Sequence, residues 1–564
     1  MADTADHPTP VMAAREAALA RLEEQRWDLV VIGGGIVGSG VLLDAVSRGL
    51  RAALVEQDDL AVGTSSRSSR LIHGGLRYLE DLRLHLVREA LGERSRLLRL
   101  APHLVRLERF LFPVYGQPLV HRAFYGAGLT LYDLLGAARD GGRAHHLGGQ
   151  AVAMLAPPIR RAGLRGGVTY SDGVEDDARF SIAVARTAMA MGASAVTRTR
   201  ATGLLTGASG RIDGLAARDL LAGRDLEVRA DMVVDATGVW AGHPEARLGG
   251  STLKLVPSRG THLVFPRERL PLEVGMTLRI PGRVLFIVPW SGTWVVGTTD
   301  EPDAGPPERP VPTEHEVELI LTMVNEVLDV GLRREDALGA YAGLRPLVGV
   351  PGGDTVRVSR EHKVQREPSG LVRISGGKYT TYRLMARDAV DVALEGQSGA
   401  ARSATADLAL LGAAPRPELD RLAAALAEET GMDSEITARL VDRHGSQARD
   451  VVALGQDLDL LRPLADDVPH LEAEVAWAGR QELAVGLDDV LSRRMRVSMA
   501  RRDRGASIAP RVAAILGREL GWDEARQQAE VEAFAAIAAR EYDVPGAMDV
   551  PSKAPDVVSS GNVD

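Results

Sequence analysis

The hydrophobic positions of this chain follow two patterns, one before and one after about residue 400. Up to that point, short runs of β-branched residues alternate with helical spacings of apolar residues, which is typical of an α/β domain. The runs predicted as strands are 29–32, 52–55, 232–234, 284–288, 294–296 and 371–374. From about Thr405 the strand pattern stops. The predicted helices beyond it, separated by Gly, Pro and Asp breaks, include 417–430, 434–443, 470–483 and 509–519.

The chain is long enough for more than one domain. Its 564 residues exceed the size at which a single hydrophobic core stops growing, so we expect two or three domains. Residues 1–24 are expected to form a flexible N-terminal extension, and residues 546–564, with their Ser, Pro and Asp content, a disordered tail. Neither end is expected to carry chemistry.

Composition and charge narrow the class of protein. With 45% hydrophobic and 25% charged residues, the chain has the composition of a soluble globular enzyme. The absence of cysteine excludes disulfides, thiolate metal sites and iron–sulfur clusters, so electrons would move through an organic cofactor, and no metal site is expected. The formal charge of -9 argues against nucleic acid as a main partner.

The sequence predicts no membrane-spanning segment and no export signal. The longest apolar stretch, 29–43, is shorter than the roughly 20 residues needed to span a bilayer, and it contains five glycines. The first residues lack the basic and then apolar order of a signal peptide. We therefore expect the protein to be cytoplasmic.

A glycine-rich turn follows the first predicted strand. Gly33, Gly35 and Gly38 stand between strand 28–32 and a helical pattern. Glycines at this spacing permit a tight turn and let a pyrophosphate approach the helix N-terminus, whose free N–H groups favour an anion. Glu56 ends the next strand, where its carboxylate can accept hydrogen bonds from an adenosine ribose. The pattern predicts a dinucleotide-binding site.

Three later segments favour FAD over NAD as this dinucleotide. Segment 64–70 directly follows the first β-α-β unit and supplies hydroxyls for further diphosphate and ribitol contacts, although a solvated serine loop is the alternative. Two strand-to-turn segments, 233–238 and 375–378, would return to the same nucleotide. The predicted FAD contacts in the three segments are Thr64, Ser65, Ser66, Ser69, Ala236, Thr237, Gly238, Gly376, Gly377 and Lys378. The chain has no second complete glycine fingerprint, so a bound NAD beside the FAD is not expected.

Motifs spread from about residue 26 to about residue 540 carry a resemblance to a known family. They lie at 71–80, 88–91, 101–103, 170–172, 176–179, 286–290, 297–300, 341–347, 359–362, 376–383 and 493–496. With them the chain resembles the FAD-dependent glycerol-3-phosphate dehydrogenases of the respiratory, quinone-linked type.

Together with the hydrophobic periodicity, the resemblance implies an α/β fold in three parts. The first is a Rossmann-like FAD-binding domain, discontinuous in the chain, over residues 25–400. A β-rich substrate-binding domain is expected as an insertion at about 106–165 and 250–340. An all-helical C-terminal domain is expected over 405–545.

The resemblance also implies the reaction, in which sn-glycerol 3-phosphate is oxidised at C2 to dihydroxyacetone phosphate while FAD is reduced and then reoxidised by a membrane quinone. A phosphate dianion needs guanidinium or ammonium donors. The candidates for a clamp on the phosphate and hydroxyls are Arg77, Arg345, Arg360 and Lys378, with Tyr78 and Thr381 as hydrogen-bond partners. Each cation taken singly is more often a surface residue, and it is the set that matches the family.

Hydride transfer from C2 requires that the C2 hydroxyl lose its proton, and the two catalytic candidates are His73 and Arg345. An imidazole suits proton transfer, and His73 stands beside Gly74 and Gly75, where the backbone can approach the isoalloxazine, so all three are also predicted FAD contacts. Arg345 is expected to stabilise the developing alkoxide rather than act as a base. The predicted proton acceptor is His73 or a water; in the alternative, His73 only orients the flavin.

A quinone acceptor implies that the protein contacts a membrane surface. Leucines interleave with arginines before the aromatic segment 110–115, and such a pattern suits anionic headgroups. The arginines are Arg94, Arg96, Arg99, Arg106 and Arg109. For residues 86–100, an amphipathic helix packed on the FAD domain is an equal alternative. The expected location is the cytoplasm, with the protein held peripherally on the inner face of the cell membrane.

Two other functional classes stay open. An oxidase of the same fold would pass electrons to O₂ and release H₂O₂, and the sequence gives no decisive signal against it. A non-enzymatic FAD-bearing scaffold would use the helical domain to bind partners or to form a homodimer, but it predicts a degraded clamp, whereas all four cations are present.

Overall fold

The computed structural model describes residues 9–75, 83–116, 132, 140, 142–242, 255–280, 283–303, 305–348, 361–397 and 399–547. The helices are α1 Pro10–Glu24, α2 Ile36–Ser47, α3 Leu84–Leu100, α4 Gly149–Leu155, α5 Asp177–Ala190, α6 Glu314–Val327, α7 Tyr382–Ala393, α8 Arg416–Thr430, α9 Ser434–His444, α10 Ala448–Leu458, α11 Glu472–Glu482, α12 Val497–Ala500, α13 Ala509–Leu520 and α14 Glu524–Tyr542.

The strands are β1 Trp27–Ile32, β2 Ala52–Val55, β3 Leu71–Ile72, β4 Val105–Tyr115, β5 His145–Leu147, β6 Leu164–Glu175, β7 Ser194–Val196, β8 Thr199–Thr206, β9 Ile212–Asp219, β10 Arg224–Asp235, β11 Leu255–Pro266, β12 Gly275–Ile280, β13 Arg283–Trp290, β14 Thr293–Gly297, β15 Glu301–Pro302, β16 Gly339–Val348, β17 His362–Arg366, β18 Val372–Gly376, β19 Pro463–Ala465 and β20 Val468–Leu471. Every predicted strand and helix has a counterpart among these elements, although residues 470–471 of the helix predicted over 470–483 belong to β20.

The first sheet places the nucleotide motif at its centre. Its strands run in the order β17-β18-β10-β1-β2-β7, with β9 paired to β10 and β8 paired to β9. β1 pairs in parallel with β10 on one side and with β2 on the other, so that Val31 lies between Val234 and Leu54. Almost every residue of β1 and β2 is buried, as expected for parallel strands covered on both faces. Their carboxyl ends, where ligands bind in such sheets, therefore share one edge.

The second sheet is larger and mixed. Its ten strands run in the order β15-β11-β14-β13-β12-β4-β6-β3, with β16 paired to β11 and β5 to β6. Its long strands come from two distant parts of the chain, 105–175 and 255–348. The sheet thus combines the two ranges expected to form the inserted β-rich domain, and the division of the chain into domains stays a prediction.

After residue 405 the described chain is helical apart from the short hairpin of β19 and β20. Helices α9, α11 and α13 bury apolar side chains around Trp477 and Leu516. The fold class expected from the sequence, a Rossmann-like α/β domain followed by a helical C-terminal domain, is confirmed.

Residues 10–24 differ from the flexible extension that the sequence suggested. They form α1, whose Leu19 and Leu22 are fully buried against the first sheet. Arg15 pairs with Asp219 at 2.9 Å, and the indole N–H of Trp27 donates to the carbonyl of Leu22. The apolar face is narrow, which is why its period was inconspicuous in an Ala-, Arg- and Glu-rich segment.

Helix α3 packs one face against the protein, as the second interpretation of residues 86–100 expected, while the side chains of Arg96, Arg99 and Arg106 stay exposed. Val87, Leu91 and Leu97 are buried, and the Arg94 side chain is fully buried between the carboxylates of Asp140 and Asp172. These groups face protein, so they cannot contact lipid headgroups. Within the described residues, none of the helices combines the length and the apolar character needed to cross a bilayer.

Candidate active site

The glycine-rich turn between β1 and α2 leaves room only for glycine at two of its positions. Gly33 has a φ of +107°, and a Cβ there would lie 2.8 Å from the carbonyl oxygen of Ala236. A Cβ on Gly38 would lie 1.9 Å from the carbonyl oxygen of Gly33. The backbone of the turn is therefore bare where Gly33, Gly35 and Ile36, at the start of α2, line a large cavity.

This cavity, about 1260 Å³ in volume, collects most of the predicted site residues. Those on its wall are Gly33, Gly35, Glu56, Thr64, Ser65, Ser69, His73, Gly75, Ala236, Thr237, Gly238, Arg345, Gly376, Gly377 and Lys378. They come from widely separated stretches of the chain and from both large sheets. The predicted cofactor and substrate residues thus surround one space.

Four predicted residues lie behind the wall instead of on it. Gly38 packs inside its own turn, and Gly74 is covered by neighbouring side chains. The hydroxyls of Ser66 and Thr381 donate to backbone carbonyls of their own turns. Their direct contacts with FAD or substrate stay predictions. Outside the described residues lie Arg77, Tyr78 and Arg360.

Glu56 is held at the end of β2, where the sequence predicted a ribose contact. One carboxylate oxygen accepts the N–H of Gly34 at 2.6 Å, and the other accepts the N–H of Asp58 at 2.7 Å. Burial raises the pKa of the Glu56 carboxyl to about 7 because water cannot solvate its charge. A further donor, such as a ribose hydroxyl, would favour the ionised form.

The serine-rich segment is anchored at several points. The Ser65 hydroxyl accepts the N–H of Ile36 at 2.9 Å, and the Thr64 hydroxyl donates to a carbonyl of β16 at 2.6 Å. The hydroxyl of Ser69 lies 2.8 Å from Nε2 of His262. Because these contacts tie the segment to α2 and to the second sheet, it is not the solvated loop that remained an alternative from sequence.

The wall also carries donors that suit FAD. The Ser375 hydroxyl and the Trp240 indole N–H are buried without a hydrogen-bond partner among the described residues, and both residues line the cavity. Buried polar groups are normally paired, so such atoms indicate a missing ligand or water. Together with the bare turn at the N-terminus of α2, they form a donor set that fits a dinucleotide.

Arg345 brings a fixed positive charge to the same wall. Its guanidinium donates to the Thr298 hydroxyl at 3.0 Å and to the Thr299 carbonyl at 3.1 Å, and it lies 3.6 Å from the carboxylate of Asp300. The side chain stays 23% exposed. An arginine held in this way can offer its donors to an anion without first losing conformational freedom.

His262 is a cavity residue that the sequence analysis missed. Its ring stacks on Tyr341 with centroids 4.8 Å apart, and Nε2 contacts Ser69. Burial, reinforced by the nearby positive charges of Arg345 and Arg70, holds the pKa of His262 well below its ordinary value. The imidazole is therefore neutral. It stands at an ordinary buried position of β11, so no local sequence signal distinguished it from a core residue.

The turn that carries His73 is supported by a buried polar chain. The N–H of Gly74 donates to the Tyr132 hydroxyl at 2.8 Å, and that hydroxyl donates to Asp172 at 2.7 Å. Arg94 pairs with the same carboxylate at 2.8 Å. The network fixes the backbone next to His73, which itself lines the cavity.

Three further residues that were not predicted from the sequence also line the cavity. Asp172 was noted in a family motif but not assigned to the site, and Arg279 and Arg283 stand at facing ends of β12 and β13. A hairpin end shows no chemical signature in sequence. Its position over the cavity follows only from the packing of the two sheets.

Comparisons with known proteins agree with this geometry. Residues 28–391 match the family described as FAD dependent oxidoreductase, and residues 403–527 match the C-terminal domain of alpha-glycerophosphate oxidase. The chain is 42% identical over 528 residues to glycerol-3-phosphate dehydrogenase 2 of Mycobacterium tuberculosis, covering 93% of this chain and 90% of that protein. It is 43% identical over 514 residues to the Mycobacterium leprae glycerol-3-phosphate dehydrogenase, covering 90% and 87%.

A solved structure supports the same assignment. The glycerol-3-phosphate dehydrogenase of Bacillus halodurans, complexed with FAD, superposes with a TM-score of 0.78 at 25% identity, covering 95% of this chain and 99% of that one. These matches agree with the glycine turn and with the hydrogen-bond donors that line the cavity. The chain belongs to the FAD-dependent glycerol-3-phosphate dehydrogenases.

Proposed function

We propose that this protein oxidises sn-glycerol 3-phosphate at C2 to dihydroxyacetone phosphate and passes the electrons to a membrane quinone. One observation carries the proposal: Arg345, Lys378 and His73 line the same cavity as the glycine turn of the cofactor site. A small anionic alcohol held by these residues would share the cavity that would hold FAD. The names of the mycobacterial relatives support the same substrate.

The cations of the wall explain why the substrate would be an anion. Arg345 and Lys378 come from β16 and from the turn after β18, so they approach the cavity from different elements. Guanidinium and ammonium donors match phosphate oxygens, and a partly enclosed site strengthens each contact relative to water. We assign the phosphate or the adjacent hydroxyls to these two side chains.

FAD bound in this cavity would supply the acceptor for the hydride that leaves C2. The chain's own task is to manage the proton and the charge on the C2 oxygen. We assign the proton to His73 or to a water beside it, and charge stabilisation to Arg345. The neutral, deeply buried His262 is a poor proton acceptor because its burial and the nearby arginines oppose protonation.

The test is anaerobic mixing of the purified holoenzyme with sn-glycerol 3-phosphate while the visible absorbance of the flavin is followed. Bleaching that a soluble quinone analogue reverses quickly and air slowly would support the dehydrogenase with a quinone acceptor. Rapid reversal by air would identify an oxidase, the alternative favoured by the match of the C-terminal residues. An absence of bleaching would refute the substrate.

A His73→Ala variant tests the base. Unchanged turnover with full FAD content would remove His73 from proton transfer. A large loss of kcat with an unchanged flavin spectrum would support it.

We also propose that the protein binds peripherally to the inner face of the cell membrane, because a membrane quinone is reduced at a bilayer surface. Co-sedimentation with liposomes that contain anionic lipid tests this location. We expect binding that decreases with salt, since headgroup attraction is screened. A protein that stays in the supernatant at low salt would refute membrane docking.

A further inference from the structure

Three arginines near the end of the chain reach back to the cofactor site. Arg493 and Arg494 end the π-helical segment Asp489–Arg494, and Arg496 follows it with a φ of +62°. We call Arg493, Arg494 and Arg496 the arginine clamp. A π-helical turn and a left-handed non-glycine residue are both uncommon, and both occur preferentially where a structure serves a function.

The arginine clamp forms hydrogen bonds and ion pairs with residues 58–70. We call these residues the cofactor loop because Thr64, Ser65 and Ser69 line the cavity. At one end of this loop, Asp59 has a fully buried carboxylate. Arg494 pairs with it through two nitrogens, one of them 2.8 Å away, and Arg493 donates to the same carboxylate at 2.5 Å. Both guanidinium groups are themselves buried.

Arg496 contacts the second half of the cofactor loop. Its guanidinium donates to the carbonyl of Ser66 at 2.7 Å and to Asp177 at 2.9 Å. The second oxygen of Asp177 accepts the N–H of Ser68 at 2.8 Å, and Arg70 pairs with the same side chain. The backbone is therefore fixed on both sides of Arg67.

Arg67 provides a third link between the end of the chain and the cavity. Arg67 lines the cavity, and its buried guanidinium is paired with Glu541 in the last turn of α14. Arg67 also donates to the carbonyl of Ala342 in β16 at 3.4 Å. The C-terminal helices thus contact the cofactor loop at Asp59, Ser66 and Arg67.

We propose that the arginine clamp is a positioning device for FAD: the C-terminal helical domain holds the cofactor loop in its binding conformation, and the rate of FAD loss depends on Arg496. The reason is geometric, because Ser65 caps the first turn of α2 and Ser69 contacts His262 only while the loop backbone keeps its path. The proposal rests on family membership and not on the proposed substrate or electron acceptor.

Arg496→Met is a suitable variant because the buried carboxylate of Asp177 is not left without an ion-pair partner. Asp177 keeps its ion pair with Arg70, while the carbonyl of Ser66 loses its donor. The test is the dissociation rate of FAD from diluted holoenzyme, followed as the rise of free-flavin fluorescence. We expect dissociation to become about tenfold faster or more, as for the loss of one hydrogen bond from a charged donor. Arg496→Lys keeps a donor and is expected to restore part of the retention.

Arg443→Met is the matched control. Arg443 also forms a bidentate ion pair with a buried carboxylate, that of Glu474. This pair lies within the C-terminal helices and away from the cofactor loop. We expect it to lower the thermal unfolding temperature without accelerating FAD release. Equal acceleration in both variants, or no acceleration in Arg496→Met, would overturn the proposal.

A second measurement needs no variant. Coupling is reciprocal, so bound FAD must stabilise the clamp if the clamp stabilises the FAD site. Hydrogen exchange of residues 485–496 in the full chain is expected to slow on FAD binding by more than that of α8, which serves as the internal reference. Equal protection of the two segments would contradict the proposal, whatever the substrate is.

Discussion

The raised pKa of Glu56 leads to a prediction about how FAD affinity depends on pH. The carboxyl is buried, and its pKa rises from 4.5 to about 7 in the protein without cofactor. A ribose hydroxyl that donates to Glu56 favours the ionised form, so FAD binding must release a proton wherever the free protein still holds it. Affinity should therefore increase as pH rises towards 7 and level off above it.

The magnitude follows from the size of the shift. The pKa displacement of about 2.5 corresponds to roughly 3 kcal/mol, at about 1.36 kcal/mol for each pH unit. The Kd for FAD cannot change by more than about tenfold per pH unit, because one proton is released. Because the carboxyl is half ionised at pH 7, we expect the Kd to fall by about 15-fold between pH 5.5 and 7.

The assay is the FAD dissociation constant of the full chain, measured by flavin fluorescence from pH 5.5 to 8. Glu56→Gln is the comparison because it cannot ionise; its amide loses one of the two backbone N–H contacts, so its affinity should be lower at pH 8 but nearly independent of pH. Parallel pH profiles for the variant and the parent protein would refute the reasoning.

Further predictions concern the turn, the anion site and the support of His73. Gly38→Ala should abolish FAD retention, because the added Cβ would lie 1.9 Å from the carbonyl oxygen of Gly33. The flavin content after gel filtration tests this, and a stable variant that keeps its yellow flavin would contradict it. Arg345→Met should lower kcat/KM for sn-glycerol 3-phosphate by about 100-fold or more while the FAD content stays normal. Steady-state assays measure this beside Arg269→Met, a control at the surface. Equal kinetics in the two variants would exclude a role of Arg345 in binding the anion. Tyr132→Phe should cost about 1–3 kcal/mol of stability because the N–H of Gly74 loses its acceptor, and an unchanged thermal unfolding temperature would argue against the network.

The cofactor site was predictable because its essential parts are local in sequence. β1, the glycine turn, α2, β2 and Glu56 lie within one short stretch, and their geometry follows from chain chirality and from the conformational freedom of glycine. The same local rules predicted the C-terminal helices. These rules did not predict the helix Pro10–Glu24, because its narrow apolar face produces little hydrophobic periodicity.

The residues that the sequence could not assign are those whose meaning depends on distant partners. His262 resembles a core histidine of β11 until the fold places it against Ser69, 193 residues earlier. Ser66 resembles a cofactor ligand, but its hydroxyl bonds its own turn, and its carbonyl meets Arg496 from 430 residues away. The sequence by itself determined the type of fold, the FAD turn and the family, because these depend on short-range pattern. Only the tertiary structure decided which polar groups face the cavity and which ones brace it, because that choice depends on how the two sheets and the C-terminal helices pack together.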